Sequence, residues 1–357
     1  MKISVVLGTR PEIIKLSSVI RELQNKNIEF DVIHTNQHYS ANMDSVFFQE
    51  LELPQPKFNL GIMATQHGEM TGKMLIEIEA ILLKNTPDWV IVQGDTNSVL
   101  AGALAAVKLG IKVAHVEAGL RSYDRSMPEE INRVLTDHIS DLLFVPTETQ
   151  RKNLLEEGIK DNKIKIVGNT IVDAVKQNMV LVAAHTDLDK YQFENYFLLT
   201  IHRPANVDNP ESLKSLLDAI EMVAKKNKVI VRFPIHPRTK KNLEKFGITI
   251  NKEIFMLMEP VGYLEMLALE KCAQIVLTDS GGIQEEACIL QTPTLTLREN
   301  TERPETIEVG SNILVGTTAG RIQRGVEKMQ KSSKKWKNPF GNGNSGSLIV
   351  SIINSTS

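Results

Sequence analysis

Short apolar runs alternate along this chain with longer segments whose apolar positions recur at helical spacing. In the first half the runs are Ile3–Leu7, Phe30–Thr35, Trp89–Gln93, Lys112–Val116, Leu142–Val145 and Ile164–Val167. Each is apolar almost throughout, the pattern of a strand buried on both faces. Between them Pro11–Gln24, Thr71–Lys84, Ser98–Leu109, Glu129–Ile139 and Glu148–Glu157 read as helices. Pro11 suits a first helical turn, and Gly110 and Gly158 suit helix stops. The alternation then restarts. Tyr196–Thr200, Val229–Pro234, Ile254–Leu257, Ala273–Thr278 and Thr294–Leu297 are strand-like. Helical segments at Glu211–Lys225, Thr239–Phe246, Tyr263–Lys271, Gly282–Ile289 and Ala319–Met329 separate or follow them.

Strand–helix alternation predicts an α/β fold with parallel sheets covered by helices on both faces. Two such series predict two doubly wound domains, residues 1–168 and 169–340, with Gly168–Lys190 as a helix-bearing connector. Residues 341–357 form a tail whose apolar run Leu348–Ile353 is a candidate helix packing back on the first domain. Doubly wound sheets bind ligands beyond the carboxyl ends of their strands. The active site is therefore expected in a cleft between the two domains, and the unusual polar clusters do fall at strand ends.

Composition changes this picture little. The 357 residues are 42% hydrophobic and 24% charged, with a formal net charge of −2. No chain-wide basic field exists to attract nucleic acid or an anionic membrane, so neither is expected as a partner. A seat for an anionic substrate has to be built locally. The two cysteines, Cys272 and Cys288, fit reduced buried thiols, and the eight histidines include no His-Glu-x-x-His motif. No catalytic metal is expected. The N-terminal apolar run stops at Gly8 and reads as a strand, and no stretch is long and apolar enough to span a bilayer. The expected location is cytoplasmic.

The strand-end clusters carry the chemistry. Gly8-Thr9-Arg10-Pro11-Glu12, with Lys15 one turn on, offers an anion seat at a helix N-terminus. It reads equally well as a tight turn with solvated charges, and Gly8 alone is no dinucleotide fingerprint. Asp95, in Gln93-Gly94-Asp95-Thr96, either caps the next helix or faces the site. Glu117 directly follows an apolar strand, where burial without a partner is costly. Glu129 and Arg133 lie four apart and could pair on one helix face. Three acidic groups on three successive loops should crowd at the sheet rim and push one pKa upward.

In the second half His202-Arg203-Pro204 and His236-Pro237-Arg238 end neighbouring strands. His202 is either a hydrogen-bonded structural histidine or a site residue. Asp279-Ser280-Gly281-Gly282 runs from a strand into a helix, and amides unobstructed by Cβ atoms can cradle a diphosphate. Glu286, one turn inside, could accept ribose hydroxyls. The loop Arg298–Glu305 could clamp phosphate through its arginines, or be a solvated charge run.

In this order, Gly8–Glu12, Gln93–Thr96, Val116–Arg121, Pro128–Arg133, His202-Arg203, Asp279–Ala287 and Thr301–Glu305 resemble the non-hydrolysing UDP-N-acetylglucosamine 2-epimerase family. The resemblance runs from Gly8 to about Phe340. It implies the GT-B type of fold, with two Rossmann-like domains, and a homodimer that needs no nicotinamide or other cofactor. By the same resemblance Asp95, Glu117 and Glu129 are catalytic carboxylates. Arg10, His202, Ser280, Gly281, Gly282, Glu286 and Arg303 match UDP-contacting positions, with His202 counted among the catalytic set. Lys15 and Arg133 match further active-site positions. The implied reaction interconverts UDP-N-acetylglucosamine and UDP-N-acetylmannosamine through a bound 2-acetamidoglucal.

Gln37, His38, Arg203 and His236 match a regulatory site of bacterial members activated by their own substrate. Two departures stand out. Ala64-Thr65-Gln66-His67 replaces the Arg-Gln pair expected after Ile62-Met63, and Arg203-Pro204-Ala205-Asn206 replaces Arg-Glu-Asn. A hydrolysing relative that releases UDP and N-acetylmannosamine would use the same residues. A catalytically silent UDP-sugar sensor would use the binding ones.

Overall fold

The computed structural model describes residues 1–36, 47–64, 66–186, 191, 195–332 and 335–356. The chain forms two compact units, one of Met1–Gln177 with Phe340–Ser357, the other of Asn178–Pro339. The division falls inside the helix Thr170–His185, beyond the boundary at 168 that the sequence suggested.

The first unit is built on a seven-stranded sheet. Its strands are β1 (Lys2–Leu7), β2 (Glu29–His34), β3 (Phe58–Asn59), β4 (Trp89–Gln93), β5 (Lys112–Val116), β6 (Leu142–Val145) and β7 (Ile164–Ile166). The order across the sheet is β3-β2-β1-β4-β5-β6-β7, with every pairing parallel. Apolar residues fill both faces of β1 and β4, which is why these strands read as unbroken apolar runs. The helices His67–Asn85 and Asn97–Lys108 close one apolar cluster around Val90, Val92, Met74 and Ile78. The direction of winding reverses between β1 and β4, so the loops after those strands diverge and leave a crevice at their carboxyl ends.

The terminal helix Ser345–Ser355 returns to this unit and packs on the helix Arg10–Asn25. Gly346 sits so close to that helix that a Cβ would come within 2.9 Å of the Ser18 backbone. Asp173 accepts from the Gly346 amide at 2.9 Å, which ties the returning chain down.

The second unit holds a six-stranded parallel sheet of β8 (Tyr196–Thr200), β9 (Ile230–Pro234), β10 (Phe255–Met258), β11 (Ile275–Thr278), β12 (Thr294–Thr296) and β13 (Asn312–Leu314). The order across it is β10-β9-β8-β11-β12-β13. Helices Pro210–Asn227 and Ala319–Lys331 pack together over a cluster that includes Phe197, Leu199, Phe233, Ile220 and Val326. Here the reversal lies between β8 and β11. The sequence pattern missed β3 and β13, which are two and three residues long and too short to show a period. It also missed the helices Pro204–Val207 and Pro304–Glu308, each a single turn started by proline.

Candidate active site

At the first unit's reversal point, the loop after β1 is pressed against two hydroxyls. A Cβ on Gly8 would lie 2.2 Å from both Thr35 Oγ1 and Ser98 Oγ, which are bonded to each other at 2.7 Å. Only glycine fits there. The helix Arg10–Asn25 then starts with a capping box in which Glu12 reaches back. Its carboxylate accepts from the amides of Gly8 at 2.6 Å and Thr9 at 2.7 Å, and from Thr96 Oγ1 at 2.5 Å. The anion seat expected from the sequence is thus occupied by the chain's own carboxyl group. Burial pushes the Glu12 pKa up to about 7, against the lowering effect of these hydrogen bonds. The cause of this rise is desolvation of Glu12 by its own packing.

Lys15, also expected to serve the anion seat, instead meets Glu117. Its Nζ lies 2.7 Å from both carboxylate oxygens, and Gln93 Nε2 donates to one of them. Both residues are buried, and Glu117 sits in the left-handed region at φ 65°. That backbone turns the chain sharply at the end of β5 and aims the carboxylate back toward β4. A buried lysine–carboxylate pair of this kind costs about 3–5 kcal/mol to break by removing one partner.

Asp95 follows the neighbouring strand and pairs with Arg133. Arg133 also donates to Glu130 Oε2 at 2.6 Å, so the pair expected between Glu129 and Arg133 is replaced by one with Glu130, three residues away. Glu130 is buried because it also accepts from the amides of Ser122 and Tyr123, each at 3.0 Å. These bonds outweigh its burial and hold its pKa below the usual carboxylate value. Glu129 is exposed in the first turn of Pro128–Ile139. Arg10 lies over the Phe47 ring at 4.7 Å from its centre.

In the second unit the reversal point is built around Asp279, which the sequence reading passed over. Fully buried, it accepts from the amides of His202 at 3.1 Å and Arg203 at 3.0 Å, and from Asn206 Nδ2 at 3.0 Å. An acid at the end of an apolar strand, just before Ser-Gly-Gly, was the available signal. His202 Nδ1 lies 3.3 Å from Asp279, and the His202 ring sits 5.3 Å from that of His236. Burial lowers the His202 pKa, and Arg203, Arg238 and Arg298 reinforce this against the pull of Asp279. Gln37 and His38 lie outside the described residues, whereas Arg203 and His236 sit in adjoining turns of this unit.

The helix Gly281–Leu290 begins with Ser280 at its N-cap and no side-chain cap. A Cβ added to Gly281 would meet nothing nearer than 3.9 Å, and one on Gly282 nothing nearer than 4.0 Å. Neither glycine is in the left-handed region, so packing and backbone conformation give no reason for them. What glycine does provide here is bare amide surface at the positive end of a helix. One turn on, Glu286 is buried, and the wholly buried Glu270 lies beside it.

The arginines of the following loop are braced by carboxylates. Arg298 makes two contacts of 2.8 Å with Glu302, and Arg303 Nε lies 2.8 Å from Glu285. The Arg298 partnership drives Glu302 down to about 2.

Residues 21–354 match the family profile described as UDP-N-acetylglucosamine 2-epimerase. The chain belongs to that family. A UDP-N-acetylglucosamine 2-epimerase of Methanocaldococcus jannaschii is 60% identical over 363 residues, spanning 99% of both chains. A crystal structure of the M. jannaschii UDP-GlcNAc 2-epimerase in complex with UDP-GlcNAc and UDP superposes with a TM-score of 0.90 at 58% identity, covering 99% of this chain and all of that one. A UDP-2,3-diacetamido-2,3-dideoxy-D-glucuronate 2-epimerase of Pseudomonas aeruginosa is 40% identical over 357 residues, again across 99% of both chains. The fold of this epimerase-family chain is the two-domain GT-B type. No helix among its described residues is long and apolar enough to cross a membrane.

Proposed function

We propose that this epimerase-family chain interconverts UDP-N-acetylglucosamine and UDP-N-acetylmannosamine without releasing the sugar. The observation that carries the reading is the Ser280–Gly282 turn, an uncapped helix N-terminus whose glycines no packing demands. It supports a diphosphate seat, with Arg303 and His202 beside the same sheet end and Glu286 for ribose. Family membership supports the choice of sugar.

In this reading one base removes the proton from C2 while the C1–O bond breaks and UDP departs as the anion. A 2-acetamidoglucal remains, UDP adds back to C1, and an acid protonates C2 from the other face. The sequence is redox-neutral, so it requires no nicotinamide. The C2 proton is weakly acidic, so stabilising the departing diphosphate at amides and arginines lowers the barrier where it is highest. Asp95, Glu117 and Glu129 are the proton-transfer candidates on the first unit. Lys15 pairs with Glu117 and Arg133 with Asp95, so two of these carboxylates each face a cation. Arg10 is assigned to the substrate, Arg203 and His236 to a regulatory contact, and the working form to a homodimer.

The test is incubation with UDP-N-acetylglucosamine in deuterium oxide followed by proton NMR. The expected result is deuterium at C2 and UDP-N-acetylmannosamine at equilibrium. Free UDP in step with free N-acetylmannosamine would make the enzyme hydrolysing, and tight binding without exchange would make the chain a sensor. The P. aeruginosa relative motivates a second substrate, a diacetamido uronate. A larger kcat/KM for that sugar would transfer the same chemistry to it.

A further inference from the structure

One buried network in the first unit has no part in the mechanism above, yet it touches the backbone beside two of its carboxylates. His115 on β5 is fully buried. Its Nε2 lies 2.8 Å from the carbonyl oxygen of Gly94, and its Nδ1 lies 2.7 Å from Asp137 Oδ1. Asp137, on the helix Pro128–Ile139, is buried as well. Its other oxygen accepts from the Gly119 amide at 3.1 Å and from Arg121 Nη1 at 2.7 Å. Arg121 continues into Glu157 through two contacts of 2.6 Å.

The donor arithmetic is restrictive. The Gly94 carbonyl can only accept. Asp137 Oδ2 already receives two N–H donors, one of them from a guanidinium, which fits an ionised carboxylate that also can only accept. Burial raises the Asp137 pKa, but the facing His115 and Arg121 outweigh it and leave it lowered. Both nitrogens of the imidazole therefore face acceptors, and both must carry protons. The charges then balance, with His115 and Arg121 against Asp137 and Glu157.

The tethered atoms decide what this network is for. Gly94 directly precedes Asp95, and Gly119 lies two residues after Glu117. Asp137 belongs to the same helix that presents Glu129 and Arg133. One charged pair thus fixes the peptide before Asp95, the turn after Glu117 and the helix that bears the third carboxylate.

We propose that His115 and Asp137 form a buried imidazolium–carboxylate pair that acts as a positioning device for Asp95 and Glu117. The proposal rests on the epimerase reading, in which those carboxylates move the C2 proton. Neither member of the pair touches substrate. Its contribution is orientation, and small displacements of a reacting group have large effects on rate.

Two measurements on the full chain test it. Long-range proton–nitrogen NMR at neutral pH should show His115 with both nitrogens protonated, and a neutral tautomer would overturn the proposal. Asp137→Asn keeps acceptors for Gly119 and Arg121 and can donate to a neutral His115, so it removes charge while preserving hydrogen bonds. The expected outcome is a fall in kcat for C2 exchange of about tenfold or more, with KM held within about twofold. A folded variant with wild-type kcat, or one whose loss lies in KM, would overturn it. Should Asp137→Asn fail to fold, the nitrogen spectrum of the wild type decides alone. A wild-type chain that leaves C2 unlabelled would count against the epimerase reading, while that spectrum still reports on His115.

Discussion

Both units place a glycine-containing turn and a helix N-terminus at the reversal point of a parallel sheet, and they use it in opposite ways. In the first, the amides of Gly8 and Thr9 are bonded to Glu12, so the positive end of the helix holds the chain's own carboxyl group. In the second, the helix after Ser280 has no side-chain cap and its glycines answer to no packing need. The same helix-dipole physics yields a closed seat in one place and an open one in the other. The difference teaches where to look for each half of the chemistry. The first unit collects acidic groups with internal cationic partners, and the second has a helix N-terminus with no side-chain cap.

The largest expected effect comes from the acidic side. Asp95→Asn should lower the rate of C2 deuterium exchange by at least about a hundredfold, the range for a lost acid or base. UDP affinity, read by calorimetry, should stay within about tenfold. The variant is clean because Arg133 keeps Glu130. Wild-type exchange would remove Asp95 from the mechanism. On the other side, Gly281→Ala should weaken UDP binding by about tenfold, and Gly281→Asp by about a hundredfold through like-charge contact. Since a Cβ there meets no neighbour within 3.9 Å, the melting temperature should hold. Unchanged affinity in both would close the seat that the comparison leaves open.

A smaller effect tests the closed seat. Glu12 titrates near 4.5 when unfolded and near 7 when folded. Between those values the folded state keeps a proton that the unfolded state has released, so stability falls as pH rises across that window and levels off above it. Glu12→Gln should remove that slope, measured as the difference in melting temperature between variant and wild type from pH 4.5 to 7. A constant difference would mean that Glu12 is ionised throughout. Least of all should Glu270→Gln matter. Burial and then the neighbouring Glu286 hold Glu270 well above the ordinary carboxyl value, the direction that favours its protonated form. Its amide isostere should shift the melting temperature by no more than about 3 °C. A large drop would show that the fold depends on its charge.

Much of the fold was legible because parallel strands buried on both faces write themselves as unbroken apolar runs. Trp89–Gln93 and Lys112–Val116 match the observed strands residue for residue. The strand-end clusters were legible too, since polar residues directly after such runs have few structural uses. Their partners were not. The sequence offered Glu129 to Arg133 by helical spacing, but Arg133 takes Glu130, three residues away on the same helix, and Asp95, which follows a different strand. Lys15 joined Glu117 across 102 residues, and no local rule predicts such a pair. Glu12 carried a visible signal, the Thr9-x-x-Glu12 capping box, which outweighs an anion seat at the same turn.

The sequence by itself determined the two α/β series, the location of the chemistry at strand ends and the family that the ordered motifs resemble. All of these depend on short-range pattern, which hydrophobic periodicity and turn chemistry record locally. Only the tertiary structure decided which carboxyl groups have raised pKa values, which lysine and arginine pair with which acid, and which of two similar helix ends lacks a side-chain cap. Those outcomes depend on burial and on charges brought together from distant segments, and Coulomb and desolvation energies follow distance in space rather than along the chain.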